Sequence, residues 1–376
     1  MGLFCEPRAV QPLHSPASPG DETGISPWGM PDMRVLVVNA GSSSLKVDLV
    51  DGGRAVASYE GLPADPPAVD AVGHRIVHGG PDLTEPVLVD AAIERRLRHL
   101  ADLAPLHQAK SLRSLEAAQD LLPGVPHVAC FDTAFHATLP PAAYVYALPR
   151  KWRERWGVRR YGFHGLSHAW ATRRARQLVP AARRVVTCHL GAEASLAAVL
   201  DGHSVDTTMG FTPLDGLVMA TRCGSVDPGL VLWIAEHEGL PPHEVAHSLE
   251  HSSGLLGLAD TADMREILGR GDADARLALD VYVHRLTAGI AAMTAGLGGL
   301  DCVVFTGGVG EHAAEVRERA AGRLGYLGVC VDPTLNARAE PDADISAPDA
   351  AVRTLVVTSR EDLEIAAGVE HLLGRG

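Results

Sequence analysis

No G-x-x-x-x-G-K-[ST] sequence occurs anywhere in the 376 residues, so the most familiar phosphate-cradling loop is missing. The six cysteines, at positions 5, 130, 188, 223, 302 and 330, include no close pair. That spacing suits neither a disulfide framework nor a zinc site, and it favours a reducing cytoplasm. Basic residues are in deficit, with 33 Lys and Arg against 46 Asp and Glu and a formal net charge of −13. Such a balance argues against nucleic acid or an anionic membrane as partner, while leaving room for a phosphate site, which is local. Long apolar runs are lacking too. The stretch LTAGIAAMTAGLGGL (286–300) is too short and too rich in Gly and Ala to span a bilayer. It reads as a buried helix leading into a strand at 302–305. Residues 1–32 have neither the basic start nor the apolar core of a signal peptide. Rich in Pro, Ser and Gly, they read as a disordered extension, with the folded chain beginning near Met33.

What is present is ordinary globular material, 46% hydrophobic and 21% charged, in a chain long enough for two domains. An internal repeat places the architecture. VLVVNAGSSSLKVDLVDGGRAVAS (35–58) lies without gaps over VVTCHLGAEASLAAVLDGHSVDTT (185–208), at an offset of 150. Gly41 falls on Gly191, Leu36 on Val186, Leu49 on Val199, and Asp51-Gly52 on Asp201-Gly202. Each copy reads as strand, small-residue turn, strand, DG turn, strand.

The rest of each half alternates strands and helices. AVGHRIVH (71–78) and VPHVACFD (125–132) read as buried strands, with helical stretches near 90–103 and 107–121 between them. The second half carries a helix near 274–297, the strand CVVFTGG (302–308) and a helix near 312–324. Two repeated α/β domains, each opening with a β-meander and a glycine turn, imply a cleft in which facing loops grip one polyphosphate.

The motifs then become specific. NAGSSSLK (39–46), HRIVHGG (74–80), APLH (104–107), FDTAFH (131–136), RRYGFHGLSH (159–168), MGFTPLDGLVMATRCGSVDP (209–228), FTGGVGEH (305–312) and REDLEIA (360–366) occur in this order. In these motifs and their order the chain resembles the acetate kinases, over nearly everything from residue 33 to its end. The resemblance implies a duplicated actin-like ATPase fold, ribonuclease H-like in each half, with the active site in the interdomain cleft. It implies domains at 33–160 and 161–350, and a C-terminal segment 351–376 whose helix packs back toward the first domain. It also implies a homodimer, ATP or ADP as co-substrate, Mg²⁺ or Mn²⁺ as cofactor, and a small carboxylate as acceptor.

The chemistry implied is transfer of the γ-phosphoryl of ATP to acetate or propionate. Such a carboxyl, with a pKa of roughly 4–5 by analogy with Glu, is already ionised at neutral pH, so no general base is needed. The difficulty is bringing an anion against a polyanion, which calls for cations and positioning. By the resemblance, Arg75 and Arg222 are the active-site arginines, able to hold a carboxylate or the moving phosphoryl in a planar fork. His164 is a donor to the developing charge, and His107 is a further active-site histidine. Asp132, at a strand end, orients an arginine or holds metal-bound water. Val77, Leu106, Phe163 and Pro213 form the acyl pocket, in which acetate and propionate are not separated. Lys46, His189, Gly191, Ala192, Glu193, Gly308 and Gly310 map to the nucleotide side, and Asn39 with Glu361 to the metal.

Three departures from the family pattern stand out. Where relatives have H-L-G-N-G, this chain has HLGAE, so Ala192 replaces an amide donor and Glu193 a glycine. A carboxylate there costs nucleotide binding unless it turns to solvent or meets magnesium. Gly310-Glu311-His312 replaces G-E-N, and Arg360-Glu361-Asp362 replaces N-E-E. The link 51–72 is short, so the first domain is trimmed. Two other functions stay open on this sequence: a catalytically impaired relative with a regulatory or interaction role, and a kinase of butyrate.

Overall fold

The computed structural model describes residues 33–41, 45–100, 105–340 and 342–374, with the backbone alone over 105–107. The extension expected over 1–32 lies outside the described residues. The chain divides into two compact units, one running to Ala134 and resuming at Arg360, the other Phe135–Ser359.

Each unit is built on a six-stranded sheet. The first sheet holds β1 (Arg34–Ala40), β2 (Leu45–Asp51), β3 (Arg54–Glu60), β4 (Ala71–Ile76), β5 (Val87–Leu88) and β6 (His127–Phe131), in the order β3-β2-β1-β4-β6-β5. The second holds β7 (Arg184–Leu190), β8 (Ala194–Leu200), β9 (His203–Thr207), β10 (Cys302–Thr306), β11 (Ala343–Asp344) and β12 (Arg353–Val356), in the order β9-β8-β7-β10-β12-β11. Both sheets run the same way: an antiparallel meander, two further strands parallel to its first, and a short antiparallel edge strand. The duplicated α/β architecture is therefore present in topology as well as in sequence.

The gapless offset of 150 is not. Leu36 pairs with Leu49, whereas Val186, its counterpart, pairs with Ala198. Four residues separate Ala40 from Leu45, and three separate Leu190 from Ala194, so the offset falls to 149 after the glycine turn. The second meander turns shift accordingly. Gly52-Gly53 corresponds to Asp201-Gly202, and all four residues have positive φ, as a two-residue hairpin of this hand demands. A bulge follows at the same place in each copy, at Leu49/Val50 and at Ala198/Val199.

The central strands are buried almost throughout, RVLVVNA in β1 and RVVTCHL in β7, because helices cover them. In the first unit the helices Pro105–Leu121 and Glu361–Leu373 pack on β1 and β4. A Cβ at Gly73 of β4 would lie 2.7 Å from Ile365 and 2.9 Å from Val369, so only glycine lets the C-terminal helix come this close. In the second unit Gly165–Leu178 packs on β7 and β10, and Ala273–Leu297 on β7, β8 and β9. The latter is capped by the Asp272 carboxylate, which accepts from the amides of Asp274 and Ala275, and ends at Gly298 in the left-handed conformation.

The division of the chain at 134/135 and 359/360 differs from boundaries at 160/161 and 350/351. His136 bonds to Ser204 and to the carbonyl of Phe163, and the Phe211 amide donates to Tyr146. Residues 351–359 carry β12, which pairs with β10. Both segments are thereby held by the second unit.

Candidate functional site

In the first unit the parallel strands β1, β4 and β6 bring Asn39, Arg75 and Asp132 to one carboxyl edge, where α/β sheets place their ligands. Asp132 is buried just past β6, its amide donating to the Ile76 carbonyl at 3.0 Å. Arg75 grips its carboxylate: Nε donates to Oδ1 and Oδ2 at 3.1 Å each, and Nη2 to Oδ2 at 2.6 Å. Arg75 Nη1 also reaches the Ala40 carbonyl at 3.4 Å, and Nε lies 3.9 Å from Glu361 Oε2. The Asp132 carboxylate is thereby paired with Arg75.

Asn39 Nδ2 donates to Glu361 Oε2 at 2.9 Å, tying the end of β1 to the first turn of the C-terminal helix. Its Oδ1 is buried and has no hydrogen-bond partner among the described residues. Lys46 sits opposite Asn39 across the β1–β2 ladder and is exposed. Val77 is buried beyond the end of β4. The side chains of Leu106 and His107 lie outside the described residues; their backbone opens the Pro105–Leu121 helix. Sequence reasoning missed Lys110 on that helix, whose Nζ donates to the Gly41 carbonyl at 2.6 Å. Burial, then the positive charges of Arg75 and Arg113, hold its pKa below the usual lysine value.

In the second unit His164 precedes the Gly165–Leu178 helix with φ 57°, a left-handed conformation that few non-glycine residues adopt. It is buried, its Nδ1 lies 2.9 Å from Ser195 Oγ, and its Nε2 lies 3.4 Å from Glu193 Oε2. The same Glu193 oxygen lies 2.8 Å from Nη1 of Arg222, which is itself buried. The carboxylate in the glycine turn is thus drawn in from solvent and in contact with Arg222. Arg222 Nη1 also approaches the carbonyl of half-buried Pro213 at 3.4 Å.

A chain of hydrogen bonds lies behind His164. Ser195 Oγ is 2.8 Å from His168 Nε2, and His168 Nδ1 is 2.7 Å from Thr187 Oγ1. Burial, with the neighbouring His136, His189 and His164, pushes the pKa of His168 well below 6.5, so it is neutral. Of the two directions of donation that use each proton once, one turns an N–H rather than a lone pair of His164 toward Glu193. The Thr187 hydroxyl donates to His168 Nδ1, His168 Nε2–H to Ser195, the Ser195 hydroxyl to His164 Nδ1, and His164 keeps its proton on Nε2, facing Glu193. His189 Nδ1 contacts Ser167 Oγ at 2.7 Å, and its ring lies 4.4 Å from that of His164. Phe163 is buried, its carbonyl accepting from His136 Nε2 at 3.1 Å.

Gly191 and Ala192 shape the turn itself. The Gly191 amide donates to the Glu193 carbonyl at 2.8 Å, and Ala192, exposed, accepts from the amide of Ala220 at 2.9 Å. Past β10, Gly308 is exposed with open space around it, and Gly310 is buried with room for a Cβ. The glycine the fold requires is Gly307, with φ 79° and a Cβ position 2.8 Å from the Leu190 carbonyl. Buried Glu311 accepts from the amides of Gly307 (3.0 Å) and Ser359 (2.9 Å). Fully buried Arg317 donates to the carbonyls of Gly310, Glu311 and Asn336 and to Asn336 Oδ1, at 2.8–2.9 Å. Burial brings its pKa down to about 10. Neither partner set was visible in the motif FTGGVGEH.

Among the described residues no group of three His, Cys, Asp or Glu side chains could hold a metal ion, and no helix is long and apolar enough to cross a membrane.

Residues 58–367 match the model of the acetokinase family. The chain is 48% identical over 311 residues to an acetate kinase of Gloeobacter violaceus, covering 81% of this chain and 76% of that one. Its structure is similar to an acetate kinase of Porphyromonas gingivalis, with TM-score 0.83, 33% identity and coverage of 90% and 99%. It is likewise similar to a propionate kinase of Francisella tularensis, with TM-score 0.82, 32% identity and coverage of 89% and 98%.

Proposed function

Because the chain belongs to the acetokinase family, we propose that it transfers the γ-phosphoryl of ATP reversibly and in line to acetate or propionate, giving the acyl phosphate. The observation that carries this is the state of the two arginines. Arg75 and Arg222 are almost withdrawn from solvent, and each is already in contact with a carboxylate. A guanidinium so placed is a ready seat for an anion, and an ionised acceptor attacking a polyphosphate needs such seats more than it needs a base.

Arg75, steadied by Asp132, and Arg222 neutralise charge on the acceptor and on the phosphoryl in flight. His164 Nε2–H donates to an oxygen on which charge develops. In this reading Val77 and Leu106 of the first unit and Phe163 and Pro213 of the second are the residues given to the short alkyl group, and His107 to the same step. Lys46, His189, Gly191, Ala192, Gly308 and Gly310 serve the nucleotide. Mg²⁺ fits Asn39 and Glu361: one hard oxygen, Asn39 Oδ1, is buried with no hydrogen-bond partner among the described residues, and the amide nitrogen of the same side chain donates to the neighbouring carboxylate. Mg²⁺ takes few protein ligands beside phosphate oxygens and waters, and when bound it would supply charge neutralisation to the polyphosphate.

The active form in this proposal is a cytoplasmic homodimer. The Pro228–Glu238 helix (PGLVLWIAEHE) buries none of its residues and leaves Leu230, Leu232 and Trp233 about half exposed or more, an apolar face suited to a second copy. Five cysteines among the described residues are free thiols, in keeping with a reducing compartment.

A hydroxamate assay with acetate, propionate and butyrate, ATP and Mg²⁺ tests the proposal. Acyl phosphate is expected from acetate and propionate. No product with any acid, together with no ATP binding by calorimetry, would return the protein to a non-catalytic role. No observation favours that role, or a butyrate preference.

A further inference from the structure

The Glu193 carboxylate lies where an acceptor anion would be received. One of its oxygens is 2.8 Å from Arg222 Nη1 and 3.4 Å from His164 Nε2, the two groups proposed above to meet the substrate. Arg222 and His164 are both buried, and the Glu193 side chain is only 17% exposed, so the contact is screened from water more than a surface pair would be. The backbone holds it there. Within the turn Gly191 N donates to Glu193 O, and Ala220 N, two residues before Arg222, donates to Ala192 O. The loop bearing the arginine and the turn bearing the glutamate are thus tied directly together.

The chemistry of the contact is that of the ligand. An aliphatic carboxylate on a guanidinium and an imidazole N–H is what acetate itself would present. Glu193 differs from acetate in being tethered, so its local concentration is fixed by the fold and does not fall on dilution.

We propose that Glu193 is a resident competitor, an internal carboxylate that occupies the anion seat of Arg222 and His164 and must leave before an external carboxylate or phosphate binds there. An apparent affinity falls by the fraction of time the seat is open. A tether that fills it nine-tenths of the time weakens binding about tenfold, about 1.4 kcal/mol. This inference rests on the function proposed above only for the identity of the seat's ligand. The occupied seat itself is a matter of geometry.

The test is calorimetric titration of wild type, Glu193→Gly and Glu193→Gln with acetate and with inorganic phosphate, without ATP, so that turnover plays no part. Gln keeps the size of the side chain and removes its charge; Gly removes both. Thermal unfolding of all three establishes that each is folded. Both variants should bind the anions about tenfold or more tightly, and in steady state the KM for acetate should fall by a similar factor. Arg222→Ala placed on the Glu193→Gly background should abolish the gain. Unchanged or weaker binding in both variants, or a fall in kcat at constant KM, would make Glu193 a support for Arg222 and overturn the proposal. Failure of wild type to phosphorylate any acid would sink the functional reading and leave the titration's answer standing.

Discussion

Arg75 holds Asp132 through three hydrogen bonds, in a first unit whose parallel strands deliver both side chains to one sheet edge. The aspartate is 1% exposed, so removing it takes the main partner from a nearly buried guanidinium, and breaking a buried pair costs about 3–5 kcal/mol. Asp132→Ala should lower kcat/KM for the acyl acceptor by at least about a hundredfold and lower the melting temperature. Asp132→Asn, which keeps the shape and one acceptor, should fall between. Steady-state kinetics with a thermal melt decide it. Activity of Asp132→Ala within twofold of wild type would show that Arg75 needs no partner.

Ser195→Ala probes the chain Thr187–His168–Ser195–His164. Without the hydroxyl, His164 Nδ1 loses its donor, and the imidazole is free to carry its proton on either nitrogen. A fall in kcat of about tenfold is expected, the worth of one such hydrogen bond at about 1.4 kcal/mol. A loss from packing alone would not move the ring's proton. Nitrogen-15 NMR of the His164 side chain should show a single Nε2–H form in wild type and a mixture in the variant. A single form in both would remove the positioning role of Ser195.

Much of this was legible in the sequence, and what was not has physical reasons. Both meanders, the Ala273–Leu297 helix and the strand CVVFT follow from apolar pattern, cap and glycine signals. The shortened turn did not show. The β8 strand ASLAAVL is buried on both faces, so no apolar–polar alternation marks its register, and the repeated Asp-Gly dipeptide drew the match one residue out of place. Lys110, Arg317 and the contact between Glu193 and Arg222 are tertiary pairings without periodicity. Glu193 could be flagged as unusual by its motif, but only the fold shows the arginine it meets.

Arg317 is a positioning residue, since its hydrogen bonds among the described residues go to the backbone that follows β10 and to Asn336. Arg317→Met preserves most of the volume and leaves the carbonyls of Gly310, Glu311 and Asn336 short of a donor. At roughly 1–3 kcal/mol for each buried group left unsatisfied, a melting temperature lower by several degrees is expected. The split of kinetic constants carries the functional claim: KM for ATP should rise about tenfold while KM for acetate stays within twofold. Equal changes in both would make Arg317 a purely structural residue.

Buried histidines make stability fall in mild acid. His78, in the first unit, and His136, in the second, are pushed down to about 4, in both cases chiefly by burial. In the unfolded chain each titrates near 6.5, so between pH 6.5 and 4 the unfolded state binds more protons than the folded one. The stability these groups contribute is fully present above pH 6.5 and is lost as pH falls toward 4. From pH 7.5 to pH 5 the loss is about 2 kcal/mol for each, before His74 and His168, which burial also lowers, are added. Urea unfolding at pH 7.5 and pH 5.0, followed by far-ultraviolet circular dichroism, should show the midpoint drop at the lower pH. His136→Gln, which keeps a polar side chain of similar reach without a titrating ring, should flatten the pH dependence even if it lowers stability throughout. A midpoint that does not move between pH 7.5 and 5.0 would mean that these rings accept protons in the folded state.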